Sequence, residues 1–248
     1  MSAPESTARS KKPLIAVIVV AALIVGVGGW YFFLRDDAPD AFDIDTASGS
    51  VSETTDGTGA GTEPDAADDG VEGTWVVDAT GGENGTSAGF RVDEELASIG
   101  STTAVGRTEQ VEGSLTIEGT TVTAVEVTVD MDSLETDDSR RDGRMRSALV
   151  TDEFPTSTFV LTQPIELGTL PDEGETISVT ATGDLTIKDV TRSVDVALDA
   201  RLVDGILVVV GSAPVVFEDY GVDKPSSAIV VSLADEGTME FQLFFTRT

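Results

Sequence analysis

Apolar and polar side chains alternate with a period of two along several stretches of this chain. The clearest examples are residues 125–131, 177–187, 194–202 and 239–245. Because successive side chains of a β-strand point to opposite faces, each stretch predicts a strand with one apolar and one polar face. Sheets of this kind either pack on a second sheet or close around an interior. The pattern therefore predicts an all-β, antiparallel protein.

Ten strands are predicted, joined by turns rich in Gly, Asp and Pro. They span residues 74–78, 86–92, 110–117, 122–131, 158–163, 175–187, 193–203, 206–217, 228–233 and 238–246. Asp204-Gly205 is typical of the turns between them. Residues 137–149 lack alternation and begin with acidic side chains, which predicts one short helix.

The segment 14–34 contains no charged residue. As a helix it would be about 31 Å long, which matches the hydrocarbon core of a bilayer. Arg9, Lys11 and Lys12 precede it, so the positive-inside rule predicts a cytoplasmic N-terminus over residues 1–13 and an extracytoplasmic remainder, held at the cell membrane. A cleaved signal peptide is the alternative, which the length of the segment and its bulky aromatic end disfavour.

The next segment, residues 35–72, is rich in Asp, Glu, Gly, Thr, Ser and Ala and has few large apolar residues. Such a composition buries too little surface to offset the entropy of ordering, so we expect a disordered acidic linker. The folded domain is then expected to span residues 73–248.

Composition narrows the classes of function. The formal net charge of -30 disfavours nucleic acid as a partner. The chain has no cysteine and no histidine, which removes disulfides, thiolate nucleophiles and the commonest general base and metal ligand. The acidity also fits adaptation to high salt, in which case it reports the solvent and not a ligand.

Two motif matches fail in their context. Residues 85–89 fit the G-x-S-x-G elbow of α/β-hydrolases, but an elbow needs a histidine base and a following helix, so we predict a turn that leads into a strand. Residues 138–143 superficially resemble a Ca²⁺ loop, but Arg140 stands at a ligand position and Leu149 stands where a bidentate Glu would be needed. The sequence accordingly predicts no catalytic residue, no metal site and no cofactor, with a carboxylate-only glycosidase as the remaining enzymatic alternative.

Arginine is concentrated in residues 140–146, within an otherwise acidic region. Guanidinium groups of this cluster could bind an anionic head group such as a phosphate. The alternative, which the sequence favours, is that they form local ion pairs with Asp132, Glu135, Asp137, Asp138 and Asp142.

Three segments resemble the YceI-like family of lipid- and polyisoprenoid-binding proteins with a lipocalin-like barrel. The most specific is R-D-G-R-M-R-S at residues 141–147, followed by Phe154-Pro155 and Phe159, which is similar to the family's R-D-x-H-L-R-S and P-x-x-x-F. Residues 183–194 resemble the family's G-D-L-T-I-x-G-V-T-K-P-V, and residues 219–221 resemble its D-F-G turn. The resemblance covers residues 73–247.

The chain departs from the family pattern at two positions that bear on ligand recognition. Arg144 stands where the family usually has His, and Lys188 replaces a second frequent His. The preference for a head group is therefore open at this point. The candidates for contacting it are Arg141, Arg144, Arg146 and Lys188.

The resemblance implies an extended antiparallel barrel around an apolar tunnel for an isoprenoid chain, such as a quinone tail or a polyprenyl lipid. The candidates for the tunnel lining are Phe90, Val92, Leu115, Ile117, Val127, Val129, Phe159, Leu161, Val196, Leu198, Phe241 and Leu243. The alternative for each is ordinary core packing, because an eight-stranded barrel can be filled by its own side chains.

We therefore expect an extended antiparallel lipocalin-like β-barrel with one short helix, preceded by a transmembrane helix and a disordered acidic linker. The expected function is that of a membrane-anchored extracytoplasmic protein that binds an isoprenoid or other long-chain amphiphilic lipid without covalent chemistry. The expected partners are this lipid and the membrane, with homodimerisation left open. The alternative is an Ig-like β-sandwich that serves as an adhesion or envelope module and has no ligand.

Overall fold

The structure is a computed structural model, and it describes residues 38–55, 71–78, 85–97, 100–224 and 230–248. The predicted cytoplasmic N-terminus, residues 1–13, and the predicted transmembrane helix, residues 14–34, lie outside the described residues. Neither of the α-helices in the described ranges has the length and apolar character that a membrane span requires.

The described elements are strands with two α-helices and one short 3₁₀ helix. The helices are α1 (Ile44–Thr55) and α2 (Ser139–Leu149), and the 3₁₀ helix spans Phe217–Tyr220. The strands are β1 (Gly73–Val77), β2 (Ser87–Leu96), β3 (Gly100–Thr108), β4 (Val111–Glu118), β5 (Thr121–Asp130), β6 (Thr156–Leu161), β7 (Ile165–Glu166), β8 (Thr176–Ile187), β9 (Val190–Val203), β10 (Ile206–Val216), β11 (Val230–Leu233) and β12 (Glu236–Arg247).

Eight strands close into an antiparallel barrel. Around the ring they follow the order β1, β4, β5, β6, β8, β9, β10 and β12. The ring closes where β12 pairs with β1, with Val76 opposite Thr246. The predicted all-β antiparallel barrel is confirmed, and the Ig-like sandwich is wrong for the described strands because the sheet has no free edge at this seam.

One wall of the barrel is extended by a second pair of strands. Next to its pairing with β1, β12 also pairs with β2, with Phe241 opposite Ala88. β2 in turn pairs along its full length with β3. β1 and β2 therefore pair with successive parts of the same edge of β12. β4 pairs with the outer edge of β1, and β3 pairs with the outer edge of β2. The wall therefore continues beyond the ring on the side of the barrel that carries α2.

The N-terminal helix corrects the expected domain boundary. The side chain of Asp43 caps α1 by accepting hydrogen bonds from the backbone N–H groups of Asp45 (3.0 Å) and Thr46 (3.1 Å). The helix buries Ala47 and Val51 against the outer face of the barrel. The predicted disordered linker over residues 35–72 is therefore wrong for residues 38–55, and the folded unit begins well before residue 73.

The partner of α1 is an apolar patch on β10 and β12. It consists of Val208 (0% exposed), Val210 (8%) and Phe244 (4%). These side chains alternate with inward ones, so without α1 they would be in water. Burying each removes on the order of 1.5–3 kcal/mol of unfavourable hydration. This packing explains why β10 is apolar on both faces.

Each of the ten predicted strands overlaps a strand of the structure, and two strands, β3 and β7, were not predicted. β7 is only two residues long. β3 reads Gly-Ser-Thr-Thr-Ala-Val-Gly-Arg-Thr and has no alternating large apolar side chains. Its pairing with β2 supplies the stability that local propensity does not. The predicted short helix at residues 137–149 is confirmed as α2, with Asp138 as its cap.

Candidate functional site

The barrel encloses a cavity of about 600 Å³. Its wall runs from the region of α2, where Met145 and Leu149 contribute, to the β4–β5 hairpin, where Ile117 and Val122 contribute. On β12 alone the wall extends from Gly237 to Phe245, which is about 26 Å of strand. Most of the lining side chains are aliphatic or aromatic. A space of this size and character lies in the range of small-molecule binding sites.

Eleven of the twelve predicted tunnel residues lie on this wall. They come from β2, β4, β5, β6, β9 and β12, and they are Phe90, Val92, Leu115, Ile117, Val127, Val129, Phe159, Val196, Leu198, Phe241 and Leu243. The twelfth, Leu161, packs beside the wall against the cluster formed by Ala181, Val196 and Ala213. Whether these residues contact a ligand remains a prediction.

Three phenylalanine rings on the wall each occupy the space that a side chain on a neighbouring glycine would fill. A Cβ atom placed on Gly106 would be 2.5 Å from the ring of Phe90, and one on Gly211 would be 2.4 Å from the ring of Phe241. Phe90 is directly opposite Gly106, and Phe241 is directly opposite Gly211. The missing side chains give the rings room beside the sheet.

The third pair follows the same principle on β6 and β8. A Cβ atom on Gly183 would be 2.4 Å from the ring of Phe159. Gly183 is opposite Leu161 in the ladder, so the Phe159 ring reaches it diagonally. Ala181 and Ala200 add further small side chains to the wall. Large aromatic residues therefore line this interior without filling it.

The α2 end of the cavity carries a cluster of charged side chains. Glu94 of β2 has a side chain that is only 4% exposed, and it accepts a hydrogen bond of 2.6 Å from Nη2 of Arg141. Arg141 also forms an ion pair with Asp137. This interaction joins α2 to β2 across the end of the barrel. The sequence did not indicate Glu94 as part of the site.

The remaining head-group candidates are divided between the wall and the outside. Arg144 lies on the cavity wall. Arg146 lies outside it, donating to the backbone oxygen of Asp132 at 2.9 Å and pairing with its carboxylate at 3.6 Å. Lys188 also lies outside the wall, where its Nζ donates to the backbone oxygen of Gly221 at 2.7 Å. The structure therefore brings only Arg141 and Arg144 to the cavity.

At the opposite end, Arg201 of β9 joins the wall to α1. Its Nη2 pairs with the carboxylate of Asp45 at 2.6 Å, and its Nε donates to the hydroxyl of Thr176 at 2.8 Å. This residue is a missed member of the wall, because in the sequence it is simply one polar position of an alternating strand.

Several apolar wall residues could have been found from the sequence. Phe245 lies within the alternating stretch 239–245, and Val209 lies in the predicted strand 206–217. Met145, Ala148 and Leu149 lie on the wall from α2, at spacings that place them close together on a helix. The prediction treated α2 only as a source of arginines and overlooked this apolar side.

The G-x-S-x-G match is resolved by its neighbours. Ser87 begins β2, as predicted, and its hydroxyl donates to the backbone oxygen of Thr108 at 3.1 Å. No helix follows it, because the chain continues in β2 to Leu96. The residue therefore belongs to the sheet ladder and not to a nucleophile elbow.

Comparison with known proteins agrees with this architecture. The family model described as the YceI-like domain matches residues 42–245. The chain belongs to the YceI-like family. The matched region begins just before α1, so this YceI-like domain is longer at its N-terminus than the resemblance in residues 73–247 suggested. The resemblance itself is confirmed.

Two solved structures share the fold of this YceI-like chain. A polyisoprenoid-binding domain from Saccharophagus degradans has a TM-score of 0.55 at 18% identity, covering 70% of this chain and 98% of that one. BcnA of Burkholderia cenocepacia has a TM-score of 0.50 at 19% identity, covering 68% and 98% respectively. At these identities the likeness establishes the fold alone. Among curated proteins, no match to the sequence was found.

Proposed function

We propose that this YceI-like chain binds an isoprenoid or other long-chain amphiphilic lipid, of the quinone or polyprenyl type, inside its barrel and performs no covalent chemistry on it. The observation that carries the proposal is the apolar cavity of about 600 Å³ that runs along the barrel. The proposal is also supported by the fold, which this chain shares with a domain from Saccharophagus degradans that is described as polyisoprenoid-binding.

The free energy of transfer favours a long tail. Removing about ten methylene-sized groups from water gives about 8 kcal/mol. Association costs on the order of 4–15 kcal/mol in lost motion and ordering. A tail of several isoprene units is therefore needed before binding becomes tight. A uniform hydrocarbon supplies affinity with little discrimination, so selectivity depends on the polar end of the cavity.

We also propose that the chain is anchored in the cell membrane by residues 14–34, with the barrel on the extracytoplasmic side. The support is the uncharged segment and the basic residues before it. Alkaline extraction of membranes, followed by protease treatment of intact cells, tests this location. Retention in the membrane pellet and cleavage of the barrel from outside are expected, and release into the supernatant would contradict anchoring.

The binding proposal is tested on the full chain purified from a host that makes isoprenoid lipids. Organic extraction and mass spectrometry of the purified protein should release a long-chain lipid in near-stoichiometric amount, and the delipidated protein should take up a prenyl alcohol or quinone. A barrel that is folded by circular dichroism, releases no lipid and takes up neither probe would contradict the proposal.

A further inference from the structure

One basic side chain on the cavity wall, that of Arg144, has no partner among the residues that the structure describes. The wall includes four basic residues, which are Arg141, Arg144, Arg201 and Lys224. Arg141 pairs with Glu94, Arg201 pairs with Asp45, and Lys224 pairs with Asp235. Across the described ranges, the Arg144 side chain makes neither an ion pair nor a hydrogen bond. It is half-buried.

The acidic side chains of the wall are already committed elsewhere. Glu94 and Asp137 both pair with Arg141. Asp138 caps α2 by accepting a hydrogen bond of 2.8 Å from the backbone N–H of Arg140. The last acid, Glu240, pairs with Arg91 and Arg107 at 2.7 Å each. Within the described part of the chain, no wall carboxylate pairs with Arg144.

The position of Arg144 favours a ligand over water as its partner. It lies one helical turn after Arg141, and residues three apart on a helix are neighbours. It borders the apolar part of the wall formed by Met145 and Leu149. A guanidinium that is partly withdrawn from water loses hydration, and a charge-assisted, two-point hydrogen bond to an anionic oxygen replaces it.

We propose that Arg144 binds an anionic head group, a phosphate or a carboxylate, on the lipid whose tail occupies the cavity. This inference rests on the proposed function and adds the chemistry of the head group. Arg141 shares its charge between two carboxylates, so its part is to fix α2 beside the ligand. The net charge of -30 repels anions at long range, so selectivity depends on this local contact.

The test compares ligands with the same tail and different head groups. Geranylgeranyl phosphate and geranylgeraniol form one pair, and oleate and methyl oleate form a second. Equilibrium binding of each to the delipidated full chain is measured by native mass spectrometry. The anionic member of at least one pair should bind about tenfold more tightly or better, because hydrogen bonds to charged groups discriminate by this order. If the anionic ligand is preferred in the first pair and not in the second, the head group is a phosphate. If it is preferred in both pairs, the site accepts anionic head groups in general.

Three variants assign the preference to the residue. Arg144→Gln should reduce the ratio between anionic and neutral ligands to about one. Arg144→Lys should restore part of the ratio, because it keeps the charge but loses the planar fork. Arg140→Gln is the matched control, since this arginine is exposed on the same helix and lies off the wall. It should leave the ratio as in the wild type.

The outcomes separate the two proposals. If neither member of any pair binds to the folded protein, the proposed function fails. If geranylgeraniol binds as tightly as its phosphate, and methyl oleate as tightly as oleate, the lipid site stands and the anionic head group is wrong. If the anion is preferred and Arg144→Gln keeps that preference, the assignment to Arg144 is wrong.

Discussion

The ring of Phe241 lies over Gly211 on the adjacent strand, so close that a Cβ atom on the glycine would be 2.4 Å from it. The two residues are directly opposite each other in the β10–β12 ladder. The three nearest atoms to that Cβ position all belong to the Phe241 ring. A single methyl group at residue 211 would therefore push the ring away from the wall and toward the cavity.

Gly211→Ala should weaken binding of a long-chain lipid because the displaced ring occupies part of the cavity. We expect a destabilisation of about 1–3 kcal/mol from the overpacking and a clear loss of prenyl-ligand affinity, measured by denaturant unfolding and by equilibrium binding. Gly143→Ala is the matched control, since nothing lies within 4 Å of a Cβ atom there.

The double variant Gly211→Ala with Phe241→Leu separates the two effects. The smaller side chain leaves room for the added methyl group, so much of the lost affinity should return. If Gly211→Ala binds the lipid as tightly as the wild type, the glycine beneath the ring is not what keeps the cavity open.

Ala47→Glu should detach α1 from the barrel, because Ala47 is completely buried against β10 and β12. We expect a loss of about 2–4 kcal/mol in the free energy of unfolding, since the apolar patch beneath the helix returns to water. Hydrogen exchange should show faster exchange in β10. Gly49→Glu places the same side chain on the exposed side of the same helix and should have little effect, and equal losses in both variants would contradict the docking of α1.

Glu240→Gln should destabilise the outer face of the sheet. The Glu240 side chain is 4% exposed and pairs with two arginines that are 20–25% exposed. The same arginines reach the N-terminal segment, where Arg107 donates to the backbone oxygen of Asp40 at 2.6 Å and stacks 3.9 Å from the ring centroid of Phe42.

Removing the Glu240 charge leaves Arg91 and Arg107 partly buried without a counter-ion. We expect a loss of about 2–3 kcal/mol in denaturant unfolding, below the range for a fully buried pair because the arginines keep some solvent. Glu236→Gln changes an exposed residue of the same strand and serves as the control. A stability equal to that of the control would mean that solvent compensates the arginines.

Tyr220→Phe should be neutral or stabilising by up to about 1 kcal/mol. Tyr220 is 2% exposed, and its hydroxyl has no hydrogen-bond partner in the described structure. Removing an unsatisfied buried hydroxyl removes its desolvation cost and leaves no partner unpaired. Thermal unfolding at neutral pH measures the change, and a loss above 1 kcal/mol would show that the hydroxyl has a partner after all.

The same residue gives an expectation for alkaline pH. Burial, and secondarily the nearby charge of Asp219, raise the pKa of Tyr220 above its usual 10.0, while Arg192 lowers it. Above pH 10 the unfolded chain therefore releases this proton while the folded protein keeps it, so stability falls as the pH rises toward the folded pKa. Tyr220→Phe should lack this part of the fall, and parallel pH profiles for the variant and the wild type would contradict the shift.

Period-two patterns determined most of the wall. Alternation along residues 125–131 and 239–245 indicated both the strands and the side that faces inward, because the pleat of a strand is a local property. β3 escaped detection because its residues are small and polar. Its role is visible only in the pairing with β2, where Gly106 lies beneath Phe90. α1 was missed because the acidic composition of residues 35–72 predicted disorder. The signals for a helix were only the cap at Asp43 and three apolar side chains that the structure buries.

By itself the sequence established the antiparallel strands, the short helix α2, the inward faces and the family. Only the tertiary structure decided that the sheet closes through β1 and β12, that α1 covers the outer face, and that rings over glycines leave the interior open. It also decided which of the wall arginines in the described ranges lacks an ion pair, since Arg141 meets Glu94 across 47 positions of sequence. These features depend on contacts between distant residues, and such contacts leave no periodic trace in a single chain.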